Sequence, residues 1–144
     1  MAATPYVNLS YPKPRATQEL FIRVARPDTT AFLGAWLPKN SAILGVYVIG
    51  SVASNAATTA TISAGSTVTA NEFLNGFDVK TAATGTGYSV AGGAAVGTAM
   101  ATPLTVDTPV YARYAETGTA STTGGPWWIK IEYATVGPGE TVQM

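Results

Sequence analysis

A chain of 144 residues suits one compact domain, and its eight basic and eight acidic side chains cancel to a formal charge of zero. Only 11% of residues are charged, against roughly 25% in an average soluble domain, which excludes a chain held open by charge and argues against a phosphate-tracking nucleic-acid binder. With no Cys and no His, the chain lacks disulfides, thiolate zinc sites, cysteine nucleophiles and the usual general base.

Residues 1–18, M-A-A-T-P-Y-V-N-L-S-Y-P-K-P-R-A-T-Q, stand apart from a β domain expected over 19–144. Pro5, Pro12 and Pro14 favour an extended, helix-free arm. Tyr6, Val7, Leu9 and Tyr11 make it too apolar for an ordinary solvated tail, and Lys13 and Arg15 make it basic. Residues 1–39 carry five basic and two acidic side chains, whereas 40–144 carry three and six, so charge is uneven along the chain. The arm either grips a neighbour or is a strand on its own domain followed by a frayed end. It has no basic n-region and no apolar h-region, so the expectation is a protein made in the cytoplasm with its start retained.

No sustained 3.6-residue apolar period marks a helix, but strand patterns recur. Glu19 to Arg26, E-L-F-I-R-V-A-R, alternates Leu20, Ile22 and Val24 against Phe21, Arg23 and Ala25. Ala42 to Ala53 is apolar on both faces, as for a strand covered on both sides, and its Gly45 and Gly50 predict a bend, a bulge or a close backbone approach. Thr58 to Ser63 reads as a strand after a Ser54-Asn55 turn. Val68 to Lys80 reads as a hairpin broken at Asn75-Gly76, with Asn71 to Leu74 alternatively one helical turn. Within the Gly/Ala-rich stretch 81–102, a short strand is expected around Tyr88 to Val90 and loop elsewhere. Leu104 to Ala115 is a strand whose Pro109 belongs at an edge or a bulge. A Gly/Ser/Thr turn, Thr117 to Pro126, leads into Trp127 to Val136, where Trp127, Ile129, Ile131 and Tyr133 share one face opposite Lys130 and Glu132. Six to eight short strands with Gly, Asn and Pro between them indicate an all-β antiparallel sandwich or barrel.

Signals for catalysis are weak. Ser or Thr nucleophiles would depend on Lys13, Lys39, Lys80 or Lys130, none in a Ser-x-x-Lys context. Glu72, Asp78, Asp107, Glu116 and Glu132 are scattered acids, the ordinary look of a sparse surface, although a hydrolase would need two of them ~5–9.5 Å apart. The run from Gly85 to Gly93 lacks the Lys-Ser/Thr and the spacing of nucleotide loops, and Asp28, Asp78 and Asp107 are too isolated for calcium. No cofactor, metal, nucleic acid or membrane partner is expected. At Trp127-Trp128, adjacent strand positions send one ring inward and the other outward. The outward ring is a covered edge residue, an interface anchor or a sugar-stacking platform.

Zero net charge promotes association, so much of this surface is expected to be covered in use. The order of features resembles the small virion proteins of tailed phages described as head decoration or cement proteins. The resemblance rests on Leu37-Pro38-Lys39-Asn40-Ser41-Ala42-Ile43-Leu44-Gly45-Val46-Tyr47-Val48, Ala60-Thr61-Ile62-Ser63-Ala64-Gly65, Asn71-Glu72-Phe73-Leu74-Asn75-Gly76, Pro109-Val110-Tyr111-Ala112 and Gly124-Gly125-Pro126-Trp127, across roughly residues 37 to 134. It implies a single β-sandwich or jelly-roll domain on the outer capsid surface, commonly trimeric, and carries over no catalytic residue. The expected function is therefore a non-enzymatic decoration protein that binds the outside of the phage head and stabilises major capsid protein contacts. A homo-oligomer is expected, trimer first and dimer second. Its expected contacts are Tyr6, Leu9, Tyr11, Lys13 and Arg15 of the arm, with Trp127 or Trp128. The alternative is a phage tail or fibre adhesin domain that binds host-surface glycan.

Overall fold

The structure, a computed structural model, describes residues 17–81, 85–88 and 103–136, with residues 85–88 described by their backbone. Every regular element among them is a strand: β1 (Gln18–Val24), β2 (Phe32–Leu37), β3 (Ser41–Gly50), β4 (Thr59–Gly65), β5 (Leu74–Asp78), β6 (Gly85–Tyr88), β7 (Thr108–Thr117) and β8 (Trp127–Thr135). They form two four-stranded antiparallel sheets, in the orders β1-β8-β3-β6 and β2-β7-β4-β5. The first strand pairs with the last, the second with the seventh, the third with the sixth and the fourth with the fifth. The described strands thus follow the pattern of one long hairpin rolled into a sandwich, the eight-stranded jelly roll.

Alternation builds the core from both inner faces. Ile22 and Val24 of β1, Val46 and Val48 of β3 and Trp127, Ile129 and Ile131 of β8 meet Leu37, Ile62, Ala64, Val110, Ala112 and Tyr114 of the other sheet, all at 2% exposure or less. Three bulges adjust this pattern. In β3 the register skips Leu44, so Ile43 and Val46 both face the core. That shift, rather than cover on both faces, explains much of the unbroken apolar run. Leu44, Tyr47 and Ile49 remain half-buried on the outer side.

Several expectations change. Asn75-Gly76 is not a hairpin turn, because β5 runs straight through it. Ile62 pairs with Phe77 and Ala64 with Leu74, which leaves β5 one residue longer than β4 at this point. Gly76 takes up the extra residue at φ 63°, and its N–H donates to the Ser63 hydroxyl at 2.9 Å. The chain reverses earlier, through a turn closed from Ala70 N to Thr67 O, with Ser66 N held by Glu72. Asn71 to Phe73 form no helical turn.

β2, F-L-G-A-W-L, was not anticipated as a strand. Its register skips Gly34, which removes the alternation that would reveal it. A Cβ at Gly34 would lie 2.5 Å from Ile22 Cγ2, so the bulge lets the two sheets approach at this corner. β6 occupies Gly85–Tyr88, upstream of the expected Tyr88 to Val90, and Val90 lies outside the described residues. Pro109 lies in an internal strand, but the pairing with β4 ends at Tyr111, so β7 has only β2 beside it there.

Candidate functional site

The register lays out the outer face of the β1-β8-β3-β6 sheet in rows. Phe21 stands opposite Lys130 and then Tyr47; Arg23 stands opposite Trp128 and then Ile49. The backbone register continues both rows to β6, with Tyr88 opposite Tyr47 and Thr86 opposite Ile49. Strand alternation places Phe21, Lys130, Tyr47, Arg23, Trp128 and Ile49 away from the core.

One half of this face is tied down. Lys130 Nζ lies 2.9 Å from Glu132 and 3.5 Å from Glu19, and sits 4.8 Å from the centre of the Tyr47 ring. The hydrogen bond from Lys130 to Glu132, with the charges of both glutamates, holds the ammonium pKa above its ordinary value. Tyr47 donates its hydroxyl hydrogen to Glu132 at 3.4 Å. Its ring lies over Gly45, where a Cβ would come within 2.7 Å of the hydroxyl oxygen. The rest of the face is open: Phe21 is 47% exposed and Trp128 is 39% exposed, with the exposed Arg23 opposite Trp128. The arrangement is a sheet face with exposed aromatic groups and charges around them. Such a surface matches a protein partner better than a small ligand, which needs a concave pocket.

Of the tryptophan pair, Trp127 is completely buried and stacks on Tyr114, with ring centres 5.4 Å apart. It therefore has no side-chain surface to offer a neighbour, and only Trp128 remains available as a contact. Tyr6, Leu9, Tyr11, Lys13 and Arg15 lie outside the described residues. Sequence reasoning missed Phe21 as a surface residue, although its alternation with Leu20 and Ile22 carried the signal. It also missed Trp36 and Leu33 on β2, which are 56% and 46% exposed.

The five acids singled out each serve a local structural role. Glu72 accepts Ser66 N, Asp107 accepts Lys39 N, and Asp78 accepts Lys80 N with Thr81 N and Oγ1. Glu132 holds Lys130. Glu116 accepts Ser121 N and the Tyr114 hydroxyl, the latter at 2.7 Å. Since that hydroxyl has one proton and gives it to Glu116, Ser54 donates to Tyr114 at 2.8 Å. Among the described residues no three His, Cys, Asp or Glu side chains gather as a metal site.

The fold defines the class first: an eight-stranded antiparallel jelly roll with an exposed aromatic sheet face. No family model matches the sequence, and no curated protein matches it. Among solved structures the chain is similar to one described as "Cyanophage Pam1 capsid asymmetric unit", with a TM-score of 0.59 and 18% identity. The match covers 94% of this chain and 100% of that chain, so the two are of similar length. At this identity the likeness is one of fold.

Proposed function

We propose that the chain is a virion structural protein, a decoration or cement protein that binds the outer surface of a phage head and stabilises major capsid protein contacts. The observation that carries this reading is the match, over its whole length, of a similarly sized chain from a phage capsid asymmetric unit. The exposed aromatic face supports it, because Phe21 and Trp128 are the kind of side chain that anchors protein interfaces. Attachment would work by added buried area. A standard interface of ~1,600 Å² binds tightly or weakly according to its anchors. The arm adds Tyr6, Leu9 and Tyr11 as apolar contacts and Lys13 and Arg15 for acidic capsid surface. The protein is proposed to act as a small homo-oligomer, trimer first.

The test is co-sedimentation of the purified chain with phage heads assembled without it. Full-length protein should pellet with the heads, and Trp128→Ala should weaken binding about 30-fold or more, the effect of losing an anchor worth about 2 kcal/mol. Absence of binding to heads, together with binding on a glycan array, would favour the adhesin reading instead.

A further inference from the structure

Each sheet ends in two edge strands, β1 and β6 in one and β2 and β5 in the other. An edge carries unpaired N–H and C=O groups along one side and is a template for a further strand unless something blunts it. Three of the four are blunted. β2 loses its register at Gly34, β5 is bulged within five residues, and β6 has only four residues. β1 is different. It runs for seven residues without proline, its pairing with β8 is unbroken from Gln18 to Val24, and no described strand lies on its other side. Its outward side chains, Glu19, Phe21 and Arg23, are all exposed. Lys130 reaches Glu19 at 3.5 Å, whereas Arg23 makes no hydrogen bond or ion pair among the described residues. The outward row therefore reads acid, aromatic ring, base, and reversing the strand about Phe21 exchanges the two signs.

We propose that β1 pairs antiparallel with β1 of a second copy, about a two-fold axis at Phe21. Charge complementarity selects both this occupant and this register. Glu19 stands opposite the partner's Arg23, Phe21 opposite the partner's Phe21, and Arg23 opposite the partner's Glu19. Opposite charges and aromatic rings directly across a strand pair stabilise it, and like charges there destabilise it. Leu20 meets the partner's Ile22, so the inward side chains of both strands stay inward. Registers two residues away on either side set Phe21 against a charge, and a parallel pairing sets acid against acid and base against base. The two charges that would guard this edge against a foreign strand thus become the pairing code for a second copy. Joined at β1, the two four-stranded sheets form one continuous sheet with both outer faces on the same side, so Phe21 and Trp128 of the two copies share one longer aromatic face. The contact is isologous and closes at two copies, and any three-fold arrangement on a head uses other surfaces. This pairing supplies a surface for the proposed homo-oligomer and rests on that part of the proposed function alone.

Charge exchange tests it. Wild-type protein should scatter as a dimer at tens of micromolar. Glu19→Arg sets bases opposite bases and Arg23→Glu sets acids opposite acids, twice in each dimer, so either variant alone should dimerise about 10-fold or more weakly. Mixed in equal amounts, the two variants place every base opposite an acid and should dimerise again. The double variant E19R/R23E should do the same by itself. Far-UV spectra and thermal transitions should match wild type throughout, because both side chains are exposed. Recovery in the mixture also separates charge pairing from misfolding, which a counterpart chain would not repair. The inference is overturned by a wild-type monomer or trimer, by single variants that dimerise as well as wild type, or by a mixture that associates no better than its components. Head co-sedimentation is a separate measurement, so failure here and failure of the capsid reading are distinguishable.

Discussion

Trp127 and Trp128 are adjacent in the chain yet belong to opposite environments, so their substitutions should separate stability from binding. Trp127 fills the space between Tyr114 and the glycines at 50 and 125, where an added Cβ would lie 2.2 Å and 2.8 Å from its ring. Gly50 is therefore a close-packing glycine, and the sequence expectation of a close backbone approach is met by an indole. Gly50→Ala should cost about 1–3 kcal/mol by overpacking, measured by urea unfolding. Trp128→Ala should change stability by no more than about 0.5 kcal/mol while weakening head binding. Ser41 is the opposite kind of position: its hydroxyl is buried with no hydrogen-bond partner, so the fold gains nothing from that group. Ser41→Ala should be neutral or stabilising by up to ~1 kcal/mol in the same assay.

At the scale of elements, one polar cluster fixes the long loop between β7 and β8 to the sandwich. Arg26 donates to Ser121 O at 2.8 Å, Asn55 accepts Thr122 N and Thr123 N, and Glu116 binds Ser121 N and the Tyr114 hydroxyl. Hydrogen bonds from Ser121 and then Tyr114 hold the Glu116 carboxyl below its ordinary pKa, while burial first of all raises that of Tyr114. A lowered carboxyl pKa means the folded state binds its proton less readily than the unfolded chain. The stabilisation is present above the ordinary glutamate range and is lost as pH falls through the lowered folded value. Asp78 acts in the same direction, through Thr81 first. Melting temperature should therefore fall on acidification below that range, and Glu116→Gln should flatten part of the slope. Between β4 and β5 the bulge depends on Gly76 at φ 63° with open space around it. Gly76→Ala should cost about 1–2 kcal/mol from backbone strain alone, without a packing change.

For the whole molecule, the described strands pair into two four-stranded sheets, and β1 begins at Gln18. Deleting residues 2–15 should leave the thermal unfolding transition within a few degrees of full length, because β1 retains its pairing with β8 from Gln18 to Val24. Loss of the transition would make the arm an integral strand, a result visible in one calorimetric comparison. The exposed Phe21 and Trp128 and the exposed Trp36 and Leu33 belong to different sheets of this body.

The amino-acid sequence by itself determined the all-β class, most strands and the inside-outside division of β8. Those properties follow from local alternation, and Trp127, Ile129 and Ile131 are buried as the pattern requires. Single-residue bulges broke that local code at Gly34, Leu44 and Gly76, which hid β2 and turned a hairpin signal into an irregular strand. Which strands became neighbours, and hence which aromatic side chains shared a face, was decided only by the tertiary structure. Phe21 and Trp128 are more than a hundred positions apart, and no short-range pattern specifies their register. It comes from closing a long hairpin around one core, where a single slipped residue would turn every buried side chain outward.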